Sequence, residues 1–251
     1  MRYALISDIH SNLDALSAVL DFLATQRIDH YLCLGDTVGY GAEPEACLAR
    51  LQGLPMTGVG GNHDWACVGK CEIRDFNEAA RAGVLWTRDR LSFGDMDFLR
   101  RLPLVATEGP VTMVHGTLDH PERFHYLVDL AQAVDTAVLC RTTFCALGHT
   151  HSPIVCEYDR RGKRIARVLT KFHELAAVPL LEDPTSMCYL MNPGSVGQPR
   201  DGDPRASCAI LDPDAHLASF HRVPYDIASA QRKIRAARLP EFLADRLAAG
   251  R

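Results

Sequence analysis

The feature that most constrains this chain is a repeated pattern in which a short apolar run ends in a cluster of Asp, Asn, His and Gly residues. Such runs are typical of buried strands, and the helical spacing between them predicts β-α-β alternation with a mainly parallel sheet. Open α/β sheets bind ligands beyond the carboxyl ends of their strands, so we expect five strands to deliver the clusters to one edge. The clusters are Asp8-Ile9-His10, Gly35-Asp36, Gly61-Asn62-His63-Asp64, His115-Gly116 and Gly148-His149-Thr150-His151.

The elements between and after these clusters predict a layered α/β domain with a strand-rich second half. Apolar runs predict strands over 2–7, 29–34, 56–59, 111–114, 144–147, 154–158, 164–169, 187–191, 206–212 and 217–223. Helical spacing predicts helices over 12–25, 44–51, 77–91, 95–102, 130–140, 226–237 and 240–248. No composition shift marks a boundary, so we predict a single domain over residues 1–251, with two packed sheets and helices outside.

Charge and composition exclude several classes of protein. The 251 residues carry 27 Lys and Arg against 31 Asp and Glu, a formal net charge of −4, so we expect neither stable nucleic-acid binding nor membrane association. No apolar run reaches the about 18 residues of a membrane span, and Asp8 interrupts the first run too early for a signal peptide. Nine scattered cysteines, with no second pair to match Cys67 and Cys71, indicate free thiols in the cytoplasm.

The residue types in the clusters indicate a centre for two metal ions. Imidazole nitrogen suits Zn, Fe, Cu and Ni, whereas carboxylate oxygen suits harder ions. Three oxygen donors and four imidazoles are too many for one ion, but they suffice for two if one carboxylate bridges. Two ions about 3.5–4 Å apart form the clamp that phosphatases and nucleases use for in-line displacement. A lone Asp-x-His or Gly-Asn-His is more often a capped turn, so the assembly of five clusters carries the interpretation.

The motifs SDIH, GD at 35–36, GNHD, His115 and GHTH, in this order, resemble the calcineurin-like metallophosphoesterase superfamily from Ser7 to Pro199. GDTVGYGAEP and NPGSVGQPRDGDPRA are similar to its bacterial and archaeal branch of small single-domain phosphodiesterases, the YfcE-like and DevT-like proteins. The resemblance implies a four-layer α/β/β/α metallophosphoesterase sandwich, with two mixed sheets flanked by helices. It also implies two divalent ions, Mn, Fe, Zn, Co or Ni, with Mn favoured.

The resemblance further implies roles for individual residues. It assigns His63 as general acid or phosphate ligand, and Asp64 is a candidate to orient it, with a turn cap as the alternative. The implied ligands are Asp8, His10 and His151 for the first metal, Asn62, His115 and His149 for the second, and Asp36 as the bridge.

Three further residues are candidates for substrate binding. Asn12 lies four residues after Asp8, with a helix N-cap as an equal alternative. Tyr40 could stack on a nucleoside or aryl leaving group, or pack against the helix at Pro44. Arg200 carries a guanidinium suited to phosphate, with a solvated loop as the alternative.

We therefore expect a dinuclear metal-dependent phosphoesterase that hydrolyses phosphodiester or phosphomonoester bonds by a metal-activated hydroxide. Small, nucleotide-derived substrates are the first choice. The alternatives are a serine/threonine protein phosphatase, a dinucleoside polyphosphate hydrolase and a non-catalytic scaffold of the same fold. Protein phosphatases of this superfamily carry GD-x-V-D-R-G, and Gly39 and Tyr40 stand where that aspartate and arginine would be.

Overall fold

Two mixed six-stranded sheets form the centre of the computed structural model, which describes residues 1–170, 172, 176–180 and 186–251. One sheet has the strand order β3-β2-β1-β11-β12-β9 and the other has the order β4-β5-β6-β10-β7-β8. The strands are β1 Tyr3–Ile6, β2 His30–Cys33, β3 Met56–Gly58, β4 Val105–Glu108, β5 Val111–Val114, β6 Phe144–Ala146, β7 Ile154–Asp159, β8 Arg164–Leu169, β9 Ala176–Pro179, β10 Met187–Asn192, β11 Ala206–Asp212 and β12 Leu217–Val223.

Parallel pairing is confined to the part of each sheet that carries the clusters. Strand β1 pairs in parallel with β2 and β2 with β3, while β5, β6 and β10 run parallel in the second sheet. The remaining pairs are antiparallel. The helices are α1 Leu13–Ala24, α2 Pro44–Gln52, α3 Asn62–Cys67, α4 Glu78–Arg88, α5 Phe93–Arg101, α6 Leu130–Leu139, α7 Ile227–Ala236 and α8 Glu241–Ala249.

The core has three layers because both faces of the central strands are buried. Along β1, Tyr3 and Leu5 contribute to the cluster between the two sheets, whereas Ala4 and Ile6 contribute to the cluster under α1. Alternate side chains of a strand point to opposite faces, so this four-residue strand contacts both layers. A third cluster joins α6 to the outer face of the second sheet. The four-layer sandwich implied by the resemblance is therefore confirmed.

Three elements differ from the sequence prediction. The short helix α3 begins inside the GNHD motif, and its six residues are too few for a visible apolar stripe. Strand β4 lies at a sheet edge with an exposed, alternating pattern, and β9 lies at the edge of the other sheet, where it pairs with β12. The expectation of one ligand-binding edge was also wrong, because the five clusters follow strands of two different sheets. No helix of the described residues is long and apolar enough to span a membrane.

Candidate metal centre

The loops after the strands turn sharply, with left-handed backbone at several candidate ligands. Asp8 has φ +53°, His10 +48°, Asp36 +52° and His151 +57°, values that L-residues adopt rarely. Hydrogen bonds between the loops hold them: the amide of Asp8 donates to the carbonyl of Gly35 and that of His10 to Asp36, both at 3.0 Å. Such strain persists where surrounding structure fixes it, and it clusters at functional sites.

The first group of ligand atoms consists of Asp8, His10 and His151, all buried. The His151 Nε2 lies 3.3 Å from Asp8 Oδ1, and the Nε2 atoms of His10 and His151 are 3.2 Å apart. The Nδ1–H of His10 donates to the carbonyl of Val38 at 3.2 Å, and that of His151 donates to the carbonyl of Gln198 at 2.6 Å. These bonds fix the tautomer, so each Nε2 presents its lone pair to the centre.

The second group consists of Asp36, His115 and His149. The Nε2 of His115 lies 3.1 Å from His149 Nδ1. The Nδ1–H of His115 donates to the carbonyl of Leu34 at 2.7 Å. Asp36 Oδ2 lies 3.2 Å from His115 Nε2 and 3.6 Å from His10 Nε2. One carboxylate oxygen therefore reaches both groups, as a bridging ligand must.

Asn62 is the first residue of α3, and its carboxamide fits the same centre. Its Oδ1 is buried and has no hydrogen-bond partner among the described residues. A buried polar atom without a partner costs about 1–3 kcal/mol, and a cation would satisfy this oxygen. The donor set of imidazole, carboxylate and amide therefore fits divalent metal ions.

His63 follows Asn62 and is held by packing and by its backbone. Its backbone amide donates to Asp36 Oδ1 at 2.9 Å. Between ring centroids, its imidazole lies 4.4 Å from Tyr40, 4.9 Å from His10 and 5.1 Å from Phe76. Among the described residues, no hydrogen bond reaches its buried Nδ1. The ring is therefore placed beside the ligands, with a nitrogen available for another partner.

Both carboxylate oxygens of Asp64, the candidate to orient His63, accept hydrogen bonds from the backbone. Its Oδ1 accepts from the amide of Val38 and its Oδ2 from that of Gly61, both at 3.1 Å. These bonds cap α3 and tie it to the loop after β2. The turn-cap alternative is therefore the one that the hydrogen bonds support.

Asn12 also has a structural role in place of the expected substrate contact. Its Oδ1 caps α1 by accepting from the amide of Ala15 at 3.1 Å. Its amide group donates to the carbonyl of Gly197 at 2.8 Å and to the Tyr225 hydroxyl at 3.3 Å. The polar groups of this side chain are thus committed to the protein itself, and the residues that line the cavity described next do not include it.

A cavity of about 370 Å³ opens over the candidate ligands, and Tyr40 and Arg200 both line it. Tyr126 follows His115 closely enough to be expected in the wall of this cavity, whereas Phe76 and Phe124 belong to no polar motif and give no such signal in the sequence. The Tyr126 ring stacks on the His149 ring with centroids 3.8 Å apart, and an isolated tyrosine in a loop gives no signal of that contact.

The electrostatics of the site favour positive charge at its centre. Burial lowers the pKa of His10, His149 and His151 well below the ordinary value, which keeps these imidazoles neutral and able to bind a metal. Burial would raise the pKa of Asp36, but His115 and His63 hold it well below its usual range. Burial opposes protonation of His115, yet the Asp36 carboxylate raises its pKa to about 9. The Asp36 carboxylate thus attracts a cation or a proton to the centre.

Comparisons with known proteins agree with this geometry. Residues 1–216 match the sequence model of the calcineurin-like phosphoesterase superfamily domain. The chain is 40% identical over 252 residues to Uncharacterized protein MJ0912 of Methanocaldococcus jannaschii, across 99% of this chain and 98% of that protein. It is also 40% identical to a metallophosphoesterase from Sphaerobacter thermophilus, whose crystal structure superposes with a TM-score of 0.85 over 100% of this chain and 99% of the other. The hypothetical protein PH1004 from Pyrococcus horikoshii OT3, 18% identical, shares the fold with a TM-score of 0.76 over 100% and 98% of the two chains. The chain belongs to the calcineurin-like phosphoesterase superfamily.

Proposed function

We propose that this protein is a phosphodiesterase with two divalent metal ions, of which manganese is favoured, and that small, nucleotide-derived diesters are its substrates. The observation that carries the proposal is the position of Asp36 Oδ2 between two groups of buried ligands. The first ion would be held by Asp8, His10 and His151, the second by Asn62, His115 and His149, and both by Asp36.

Ions held in this way supply a nucleophilic water at neutral pH and neutralise charge on the phosphoryl oxygens. His63 acts beside them as proton donor to the leaving oxygen or as a ligand to a phosphate oxygen. Burial lowers the pKa of His63 to about 4. An anionic phosphate ester within hydrogen-bond reach opposes that shift, so substrate binding itself favours the imidazolium form.

The loop after β2 supports a diester over a phosphoprotein as substrate. Gly39 and Tyr40 supply neither the carboxylate nor the guanidinium that protein phosphatases of the superfamily carry there. The cavity volume of about 370 Å³ lies at the small end of ligand pockets, which run from roughly 300 to 1,000 Å³.

We also propose a cytoplasmic location, which nine free cysteines support, since such thiols persist in a reducing compartment. Residues 1–251 would act as one domain, because α7 and α8 pack on the same cluster as Tyr40 and Ala80.

The test is a panel of phosphodiesters and phosphomonoesters assayed with metal-stripped protein after each metal is added back singly. We expect turnover of bis-p-nitrophenyl phosphate with at least one ion, strongest with Mn, and little turnover by Asp36→Asn under the same conditions. Binding of two ions without turnover of any ester would refute the enzymatic function and favour the scaffold alternative.

A further inference from the structure

The C-terminal helices α7 and α8 lie beyond the matched residues 1–216, yet they pack in one cluster with Tyr40, which lines the cavity over the candidate ligands. Leu243, Ala244 and Leu247 of α8 are buried in one cluster with Tyr40 and Ala80. This packing carries Arg246 to the ring of Tyr40, where its Cζ lies 5.9 Å from the ring centroid.

A second guanidinium approaches the same ring. The Cζ of Arg200 lies 5.8 Å from the Tyr40 centroid, and Arg200 and Tyr40 both line the cavity over the ligands. Tyr40 in turn packs against His10 and His63, with ring centroids 4.6 and 4.4 Å away. Both cations therefore lie beside one aromatic ring that also packs against His10 and His63 of the candidate site.

Neither guanidinium is paired with an Asp or Glu side chain within the described ranges. Arg200 donates from Nε and Nη2 to Gln198 Oε1 at 3.3 and 2.8 Å, and Arg246 donates from Nε to the terminal main-chain oxygen of Arg251, the last residue of the sequence. Burial, followed by the charge of Arg200, lowers the pKa of Arg246 to about 10. The charge of Arg200 therefore disfavours the charged form of Arg246, and a bound anion near both groups would offset this effect.

Backbone hydrogen bonds join the segment that carries Arg200 to the candidate centre and to the end of α8. The amide of Arg200 donates to the carbonyl of His151, a candidate ligand, at 3.2 Å. Two residues later, the amide of Gly202 donates to the carbonyl of Gly250 at the end of α8, at 3.0 Å. The loop that carries Arg200 therefore holds both the centre and the helix that carries Arg246.

The cavity lining also carries charges of both signs. Glu72, Asp75 and Glu122 line it together with Arg123, whereas Arg200 lies beside Tyr40 and, in the described part of the chain, has no acidic partner. A substrate with negative charge beyond its reacting phosphate would be repelled by the acidic residues and attracted to the arginines.

We propose that Arg200 and Arg246 form an anion subsite for a second phosphoryl group of the substrate. The inference rests on the proposed function and adds a substrate class, phosphate esters that carry a further phosphate outside the reacting one. Guanidinium groups bind phosphate oxygens in a bidentate manner, and two of them match the charge of a phosphate dianion.

The kinetic test compares two substrates that differ only in the remote charge, the 5′-p-nitrophenyl ester of thymidine 5′-monophosphate with a free 3′-hydroxyl or with a 3′-phosphate. Arg246→Gln should raise KM for the 3′-phosphate about tenfold or more, since a hydrogen bond to a charged group contributes about that much. The kcat and the KM for the 3′-hydroxyl substrate should stay within about twofold. Arg246→Lys should recover part of the loss, and Arg232→Gln, an exposed change on α7, should have no effect.

The binding test needs no catalysis and uses metal-stripped protein titrated with inorganic pyrophosphate in a calorimeter. Wild type and Arg232→Gln should bind about tenfold or more tightly than Arg246→Gln, with unchanged far-UV circular dichroism as the folding control. Unaltered pyrophosphate binding by Arg246→Gln, or an equal rise in KM on both esters, would overturn the subsite. If no ester is hydrolysed but the binding difference appears, the subsite stands and the proposed function fails.

Discussion

The sharpest test of the site is a single methyl group at Gly39. This glycine has φ +88°, and a Cβ built there would lie 3.0 Å from His63 Cγ and closer still to Nδ1. Ordinary contacts of a Cβ begin at 3.4–4 Å, so Gly39→Ala forces the imidazole to move. No hydrogen bond of the described residues restrains that nitrogen, so the ring can yield by turning away from its position beside Asp36.

Two effects of the substitution can be separated by magnitude. The left-handed backbone costs an L-residue about 1–2 kcal/mol of stability, wherever it occurs. The distance between the new Cβ and His63 Nδ1 would fall about 1 Å short of an ordinary contact, so the imidazole must shift by about that amount. A misplacement of that size can cost about 100-fold in rate. We therefore expect a modest loss of stability and a large loss of kcat.

Gly69→Ala provides the matched control. Gly69 has φ +77°, and nothing lies within 4 Å of the position that a Cβ would take there, so it bears the backbone cost without the clash. Urea denaturation should give similar destabilisation for both variants, and elemental analysis should show unchanged metal content. Only Gly39→Ala should lose kcat on an alkyl phosphodiester. Equal kcat for the two variants would refute the argument that Gly39 makes room for a working His63.

Other substitutions and substrates test the remaining assignments. Asp36→Asn should weaken binding of both ions together, because an amide is a poor bridging ligand. If elemental analysis finds that the variant retains two ions per chain as the wild type does, Asp36 is not the bridge. His63→Ala should leave metal content intact and lower kcat about 10²–10⁴-fold on an alkyl ester. That loss in kcat should be smaller on a p-nitrophenyl ester, because its leaving group departs without a proton. An equal loss on both esters would assign phosphate binding to His63 instead. Because Gly39 and Tyr40 bring no carboxylate or guanidinium, a phosphoserine peptide should show a lower kcat/KM than bis-p-nitrophenyl phosphate, and the reverse order would refute the diester preference.

Consecutive side chains in the first turn of α3 have different roles, and only their hydrogen bonds distinguish these roles. Asn62, His63 and Asp64 are consecutive, but Asn62 Oδ1 has no partner among the described residues, whereas both oxygens of Asp64 accept backbone hydrogen bonds. The first oxygen is available to a metal, whereas of the other two one caps α3 and one joins α3 to the loop after β2. Sequence position alone allowed two interpretations each for Asp64 and Asn12, because a cap and a ligand require the same residue types.

The amino-acid sequence by itself determined the layered α/β class, most of the strands and helices, and the residues that meet at the centre. These are local properties: an apolar run forms a strand, and a polar cluster directly after it must lie at the strand end. The candidate ligands Asp8, Asp36 and His149 could therefore be placed at strand ends without knowledge of strand order.

Only the tertiary structure decided how the clusters come together and what surrounds them. The pairing of β1 with β11 and of β6 with β10 assigns the clusters to two sheets, and such pairing joins residues far apart in sequence that no local period links. The contact of Arg246 with Tyr40 likewise depends on the packing of α8. The two residues lie so far apart in the sequence that no local periodicity could predict the contact. Spacing along the chain specifies elements and their ends, whereas the shape and charge of the cavity arise from side chains that meet only after the layers have packed.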